Sequence, residues 1–344
     1  MYKRQVLRAT APGLPAVQSA SFVITPAGPH HLAVRTQPAT STAAGDPVSV
    51  TIELRDPFNN VATNAGARTV GVALTTGAGS LLSGSTSKAT SAGVATFSGL
   101  QIGPQGSDKV ITATSVGLVS TATAAFAITP AAPAVLQMKT QPPASVVAGS
   151  AFSLAVEVRD AYGNVQVSMP VTVSAALATG VSTLSGGGGA TSAAGVASQS
   201  GLSLDRVGAH TVTVSSPGLS SVTTQSVTVT AAAGSALVFE TQPASSAVAG
   251  QSFTYAAKVL DAFGNHAVSF GGPVTATLSA GSGALVGTTT VSASDGSVTF
   301  GATNIQAAGT GKQVTVSAES LSSAASTLFE VVHGAATQLS LIHI

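Results

Sequence analysis

The stretch VSVTIELRDPFNN (Val48–Asn60) alternates apolar and polar side chains and then breaks into a turn. Val48, Val50, Ile52 and Leu54 fall on one side, and Thr51, Glu53 and Arg55 on the other. A period of two marks a strand with one face in a core and one face toward water. The stretch recurs as FSLAVEVRDAYGN (Phe152–Asn164) and FTYAAKVLDAFGN (Phe253–Asn265). Phe152, Leu154, Val156 and Val158 form the inward face of the second copy, and Phe253, Tyr255, Ala257 and Val259 that of the third. Each copy opens its turn with an acid, Asp56, Asp160 or Asp261, whose carboxylate can accept from backbone N–H groups two residues on. Gly163 and Gly264 supply a left-handed position, which Asn59, the next best residue for it, takes in the first copy. Asn60, Asn164 and Asn265 close the turns. The rings of Phe58, Tyr162 and Phe263 are expected to pack over the end of their own core.

The flanking segments repeat as well. The string TQP stands at Thr36–Pro38, Thr140–Pro142 and Thr241–Pro243, 104 and 101 residues apart. An apolar strand precedes each, and an Ala-Gly turn follows at Ala44-Gly45, Ala148-Gly149 and Ala249-Gly250. Later strands match in order: Thr69–Leu74, Val171–Ala175 and Val274–Leu278; Gly93–Ile102, Gly195–Leu204 and Gly296–Ile305. Then come Val110–Thr114, Thr211–Val214 and Gln313–Val316, and last Ala125–Ile128, Ser226–Val229 and Leu328–Val331. About seven short strands per hundred residues, with turn signals between them, read as an immunoglobulin-like sandwich. The expected fold is all-β: tandem antiparallel β-sandwiches in a linear array.

Three repeats are expected at residues 30–130, 131–233 and 234–334. VLRATAPGL (Val6–Leu14) matches VITATSVGL (Val110–Leu118), and SFVITPAG (Ser21–Gly28) matches AFAITPAA (Ala125–Ala132). Residues 1–29 therefore read as the C-terminal fragment of a preceding repeat, either weakly ordered or docked on the first. Residues 335–344 read as the start of a truncated further one. The tips 1–5 and 340–344 read as translated adapter sequence foreign to the array. The linkers at Ile128–Pro133, Val229–Gly234 and Val331–Ala336 span only a few residues, so neighbouring domains should touch and form a semi-rigid rod. Strands spanning about 30 Å place three domains over roughly 100 Å.

Composition narrows the function classes. Only 7% of the 344 residues are charged, against about 25% in ordinary soluble domains, and the formal net charge is +1. No basic field for nucleic acid arises from that balance. Cysteine is absent, which removes disulfides and thiolate chemistry. No apolar run reaches the length of about 18 residues that a membrane helix needs.

The acids repeated in every copy are Asp56, Asp160 and Asp261, which read as turn-fixing acceptors. Calcium at the turn or at a domain joint is the alternative, though such sites gather several oxygen ligands. The six histidines, His30, His31, His210, His266, His333 and His343, hold mostly non-equivalent positions and read as surface residues. Gly186–Gly189 lacks the Lys-Ser/Thr and helix of a phosphate loop and reads as a hairpin loop. Lys139 has Arg35 and Glu240 as counterparts, so no lysine-based isopeptide staple is repeated. Tryptophan is absent, and outside the tips only Phe270 lacks a framework counterpart, which leaves little for a sugar-stacking platform or a protein hot spot. No catalytic residue, metal site or cofactor is expected.

The run of motifs TQP, Ala-Gly, alternating strand, Asp-Ala-(Phe/Tyr)-Gly-Asn, Gly-Val-Ala-Thr-Phe-Ser-Gly-Leu and Ile-Thr-Pro resembles bacterial immunoglobulin-like repeats. The resemblance covers residues 6–339. The second repeat departs from it at Ala197–Gln199, and the first lacks the turn glycine. It implies an extracellular or cell-surface protein with an adhesive or spacer role, and it names no ligand. The expected function is a non-catalytic stalk segment of a large bacterial surface or secreted protein. Its partner would be a host, surface or matrix ligand bound by domains outside this stretch. A directly adhesive or carbohydrate-binding module, and accessory repeats of a secreted multidomain enzyme, are the alternatives. The chain is expected to be a monomeric rod without nucleic-acid or membrane partners.

Overall fold

The computed structural model describes residues 4–77 and 81–335. Residues 335–344, read above as the start of a further repeat, lie outside the described residues except for Ala335. Among the described residues there is no helix, and every sheet draws its strands from a single copy.

The first repeat sets the pattern. One sheet runs His31–Thr36, Val48–Arg55, Val94–Ile102, Leu81–Ser83 in spatial order. The facing sheet runs Ser87–Ala89, Thr69–Thr76, Gly106–Thr114, Phe126–Thr129, Ser41–Ala43, with Thr121–Ala122 also paired to Gly106–Thr114. Pairing is antiparallel except at Ser41–Ala43, which joins Phe126–Thr129 in parallel. The segment before the Ala-Gly turn thus begins in one sheet and ends in the other. Pro38 stands where it crosses, since a residue without an N–H cannot extend a ladder. The second and third repeats cross in the same way, with Ser145–Val147 on Val227–Thr230 and Ser246–Val248 on Phe329–Val332. Short segments such as Ser87–Ala89 and Thr121–Ala122 come in addition to the seven strands expected.

The TQP glutamine has a structural role that its sequence position did not reveal. The Gln37 side-chain carbonyl accepts from Ala124 N at 3.0 Å, Gln141 from Gln225 N at 3.0 Å, and Gln242 from Thr327 N at 2.9 Å. Each closes the gap beside a backbone amide just before the last strand, where no ladder partner is at hand.

Alternation places the core. Val48, Val50, Ile52 and Leu54 are buried against Phe97, Leu100, Ile111 and Phe126 of both sheets. Leu154, Val156 and Val158 do the same in the second repeat, and Tyr255, Ala257 and Val259 in the third. Tyr255 stacks on Phe300 with ring centroids 5.0 Å apart, and Phe270 packs against the same core.

The outer face carries ion pairs, which corrects the reading of Glu53 as an ordinary wet-face residue. Glu53 is buried between Arg35, at 3.3 Å, and Arg55, at 2.9 Å. Glu157 lies between Lys139, at 3.2 Å, and Arg159, at 2.6 Å. The third repeat swaps the signs, with Lys258 in the glutamate position and Glu240 opposite it at 3.5 Å. Hydrogen bonding by Arg159, aided by Lys139 and opposed by burial, holds the Glu157 carboxyl below its ordinary value of 4.5.

Residues 4–23 form small two-stranded pairings, Arg4–Gln5 with Phe22–Val23 and Arg8–Ala9 with Val17–Gln18. Arg4 and Gln5, read as foreign sequence, take part in one of them. Phe22 is exposed here, although its counterparts Phe126 and Phe329 are core residues.

Val156 is wholly buried at the centre of the second core. Val156→Asp is expected to destabilise that repeat by several kcal/mol through an unpaired buried charge. Calorimetry should show the second repeat melting early while the other two persist; an unchanged melting profile would refute the inward assignment.

Candidate functional site: the joint between repeats

Each alternating strand ends in an acid that must leave the sheet buried, and the turn after it supplies the donors that make this tolerable. Asp160 Oδ1 accepts from the N–H groups of Tyr162, at 2.9 Å, and Asn164, at 2.8 Å. Its Oδ2 accepts from Asn164 Nδ2 and from Ala131 N, both at 2.8 Å. Asp261 repeats the set with Phe263 N, Asn265 N, Asn265 Nδ2 and Ala232 N, all at 2.8–2.9 Å. Asp56 takes Phe58 N, Asn60 N, Asn60 Nδ2 and Ala27 N, all at 2.8–3.0 Å. Asn59, Gly163 and Gly264 hold φ of 68°, 84° and 80°, the left-handed bend that turns these N–H groups onto the acid.

Ala27, Ala131 and Ala232 lie in the linkers that lead into each repeat. The carboxylate therefore fastens the incoming chain as well as its own turn. Gln166 adds to this, donating from Nε2 to the Ala131 carbonyl at 2.5 Å. Four N–H donors surround each carboxylate, and a cation at that position would have to displace them. Among the described residues no group of three or more His, Cys, Asp or Glu side chains comes together.

The asparagine reaches further, into the preceding repeat. Asn164 Nδ2 donates to the Gly103 carbonyl, and Asn164 Oδ1 accepts from Gln105 N, both at 2.8 Å. Asn265 makes the same pair with the second repeat, to the Asp205 carbonyl at 2.8 Å and from Val207 N at 3.1 Å. A primary amide can donate and accept side by side, so one side chain reads both groups of a bent backbone.

The aromatic residue corrects an expectation. Phe58, Tyr162 and Phe263 do not cover their own cores; they are 78%, 44% and 38% exposed. Tyr162 sits on Gly45 of the first repeat, where a Cβ would overlap the phenol, and Phe263 sits on Gly149 of the second. Gly45 and Gly149 have φ of 80° and 77° and belong to the Ala-Gly turns. Two motifs about a hundred residues apart thus meet across the joint, ring on glycine, with the asparagine clamp beside them.

At a second position the burial differs from expectation. Lys109, His210 and Lys312 occupy equivalent places and are buried, so the assignment of His210 to the surface is wrong. His210 Nε2 donates to the Arg206 carbonyl at 2.8 Å, and Lys312 Nζ donates to the carbonyl and, at 3.2 Å, the hydroxyl of Ser282. Gly77, Gly180 and Gly281 lie against these side chains and leave room for them. A basic group in each copy was legible; its burial was not, because exchanging Lys for His hides the equivalence.

No protein-family model matches this chain, and no curated protein matches it. Solved structures with a similar course include FdeC, an Escherichia coli adhesin, at 16% identity and TM-score 0.38, covering 88% of this chain and 96% of that one. Three immunoglobulin domains of titin match at 11% identity and TM-score 0.31, covering 90% and 100%. The D0-D1 domain of intimin matches at 18% identity and TM-score 0.22, covering 57% and 96%. Likenesses this loose carry no argument about function, and the fold rests on the strand pairing described above.

The turn acids have a pH signature. Burial alone would raise the Asp160 and Asp261 carboxyls, but the Asn side chain and the backbone N–H groups outweigh it and hold both below 3.8. A carboxyl depressed on folding stabilises the fold above its unfolded value and loses that contribution as pH falls through the folded value. Stability should therefore drop on acidification below about pH 4. Asp160→Ala, which strands several donors, is expected to cost about 3 kcal/mol at neutral pH and to flatten this acid limb for the second repeat; chemical denaturation as a function of pH checks both. The chain is a tandem array of immunoglobulin-like β-sandwich domains, the architecture that its resemblance to bacterial immunoglobulin-like repeats implied.

Proposed function

We propose that this chain is a spacer, a non-catalytic stalk segment of a bacterial surface or secreted protein that holds other domains at a set distance. The observation that carries the reading is the joint, built twice from the same parts. Asn164 and Asn265 are buried in it, and each grips one carbonyl and one N–H of the repeat before. Fixing the angle between neighbours serves reach and stiffness, which is what supports the spacer reading. The aromatic supply supports the same reading. Phe270 joins the third core, and Tyr162 and Phe263 are engaged at joints. We place it outside the cell or on its surface, as the resemblance to bacterial immunoglobulin-like repeats implies.

Asn164→Ala combined with Asn265→Ala is expected to cost the second and third repeats about 2 kcal/mol each while loosening both joints. Small-angle scattering should show a broader distribution of shapes and a shorter mean end-to-end distance than the parent. Identical scattering from the double variant would remove the basis for a joint-stiffened spacer. Glycan-array and cell-binding assays on the whole chain are expected to show no binding; a specific signal in either would favour the adhesive alternative.

A further inference from the structure

The second repeat differs from its neighbours inside its own core. In the first and third repeats Phe97 and Phe300 are buried, paired across to Val50 and Tyr255. The second repeat has Gln199 at that place, opposite Leu154 and only 3% exposed. Phe126 and Phe329 are core residues on the last strand of their repeats, and Val227 stands there in the second. The Phe329 ring packs on Phe253 with centroids 5.5 Å apart, a contact that a valine does not make. At the buried basic position, His210 Nδ1 has no hydrogen-bond partner among the described residues, whereas Lys312 Nζ reaches two oxygens of Ser282.

Gln199 also disturbs a sheet edge. Its Nε2 donates to the Val173 carbonyl at 3.2 Å and to the Gly188 carbonyl at 3.0 Å. Thr86 and Thr289, the counterparts of Gly188, use that carbonyl to accept from Val72 N and Ala276 N, at 2.8 and 2.7 Å. In the second repeat Ala175 N turns instead to the Gly187 carbonyl, one residue earlier, at 3.1 Å. The edge ladder keeps two pairs, Thr172 with Thr191 and Val173 with Ala190, against three in each neighbour. A Cβ at Gly187 would lie 2.3 Å from the Ala175 carbonyl oxygen, so the slipped edge requires glycine there. Gly187–Gly189 replace serines and threonines of the other repeats and lose more conformational entropy on folding.

The path of a pulling force makes these differences matter. The chain enters each repeat through the split first strand and leaves through the last, and the two pair in parallel, Ser145–Val147 with Val227–Thr230 in the second repeat. Tension between the ends slides one strand along the other. Resistance comes from this ladder and from the side chains that seat the last strand on the core. Phe126 and Phe329 seat it in the outer repeats, and Val227, with less apolar surface to bury, seats it in the second. We propose that the second repeat is the yielding link of the array: under tension it opens first, between two neighbours that stay folded, and adds about 300 Å of length. The proposal deepens the spacer reading and rests on it for its purpose, since a yielding link serves a stalk that bears load. The order of opening is a property of the chain and is measured whether or not that reading holds.

The absence of cysteine provides the probe. Ile111, Val212 and Val314 are buried at equivalent positions, each donating its N–H to a hydroxyl just before the last strand. Ile111→Cys, Val212→Cys and Val314→Cys, made singly in the whole chain, each report the opening of one repeat to a thiol reagent. Val212→Cys should react about tenfold or more faster than either of the others. Replacing isoleucine is the more disruptive change, so the comparison with the first repeat is weighted against the expected order. With the chain pulled between its ends, reagent added after the first lengthening step should block the return of that length in Val212→Cys alone. Gln199→Leu and Gln199→Phe, which put an apolar side chain back into the core, should slow the labelling of Val212→Cys. Labelling of Ile111→Cys or Val314→Cys as fast as that of Val212→Cys, or a blocked return in either after the first step, would overturn the proposal. Labelling of Val212→Cys that neither Gln199 variant slows would overturn it as well, by removing the cause assigned to it.

Discussion

A buried carboxylate met by four N–H donors organises this protein. Asp160 ends a core strand, fixes a turn, fastens the linker at Ala131 and orients Asn164 for the neighbouring repeat. Burying a charge costs free energy that only dense hydrogen bonding offsets. The turn therefore has no freedom to relax, and neither does the asparagine it carries. One residue at the end of a strand thus links the interior of a repeat to the geometry of the array.

The joint makes the domain order directional. A glycine that lacks a side chain and holds a left-handed bend receives a ring from the next repeat, never from the one before. The glycine is required twice over, by its φ and by the closeness of the ring. Two hydrogen bonds from one amide, on a backbone bend that each sandwich builds for its own reasons, serve as the register mark.

The sandwiches tolerate change where the pattern of contacts survives it. One outer-face pair survives when its signs are exchanged, Glu157 with Lys139 becoming Lys258 with Glu240, although the arginine partner Arg159 gives way to Leu260. The buried basic position accepts Lys109, His210 or Lys312, with Gly77, Gly180 or Gly281 lying against it. In each case the requirement is local: a donor or a charge must find a counterpart within its own repeat.

Much of the fold was legible in the sequence because strand periodicity and turn chemistry are local properties. Val48 to Leu54 had to face a core, and Asn59, Gly163 and Gly264 had to bend the chain, whatever else surrounded them. How far those turn residues reach across to the neighbouring repeat was not readable from the sequence. Nothing near Tyr162 in the chain says that its ring will rest on Gly45 rather than on its own core, and nothing near Asn164 points to Gly103. His210 looked like a surface residue because burial depends on what folds over a side chain. The sequence by itself determined the all-β repeat, its inward faces and the chemistry of its turns, since these follow from each residue and its nearest neighbours. Only the tertiary structure decided that those turns are joints, because a contact between segments a hundred residues apart exists only once both sandwiches have formed.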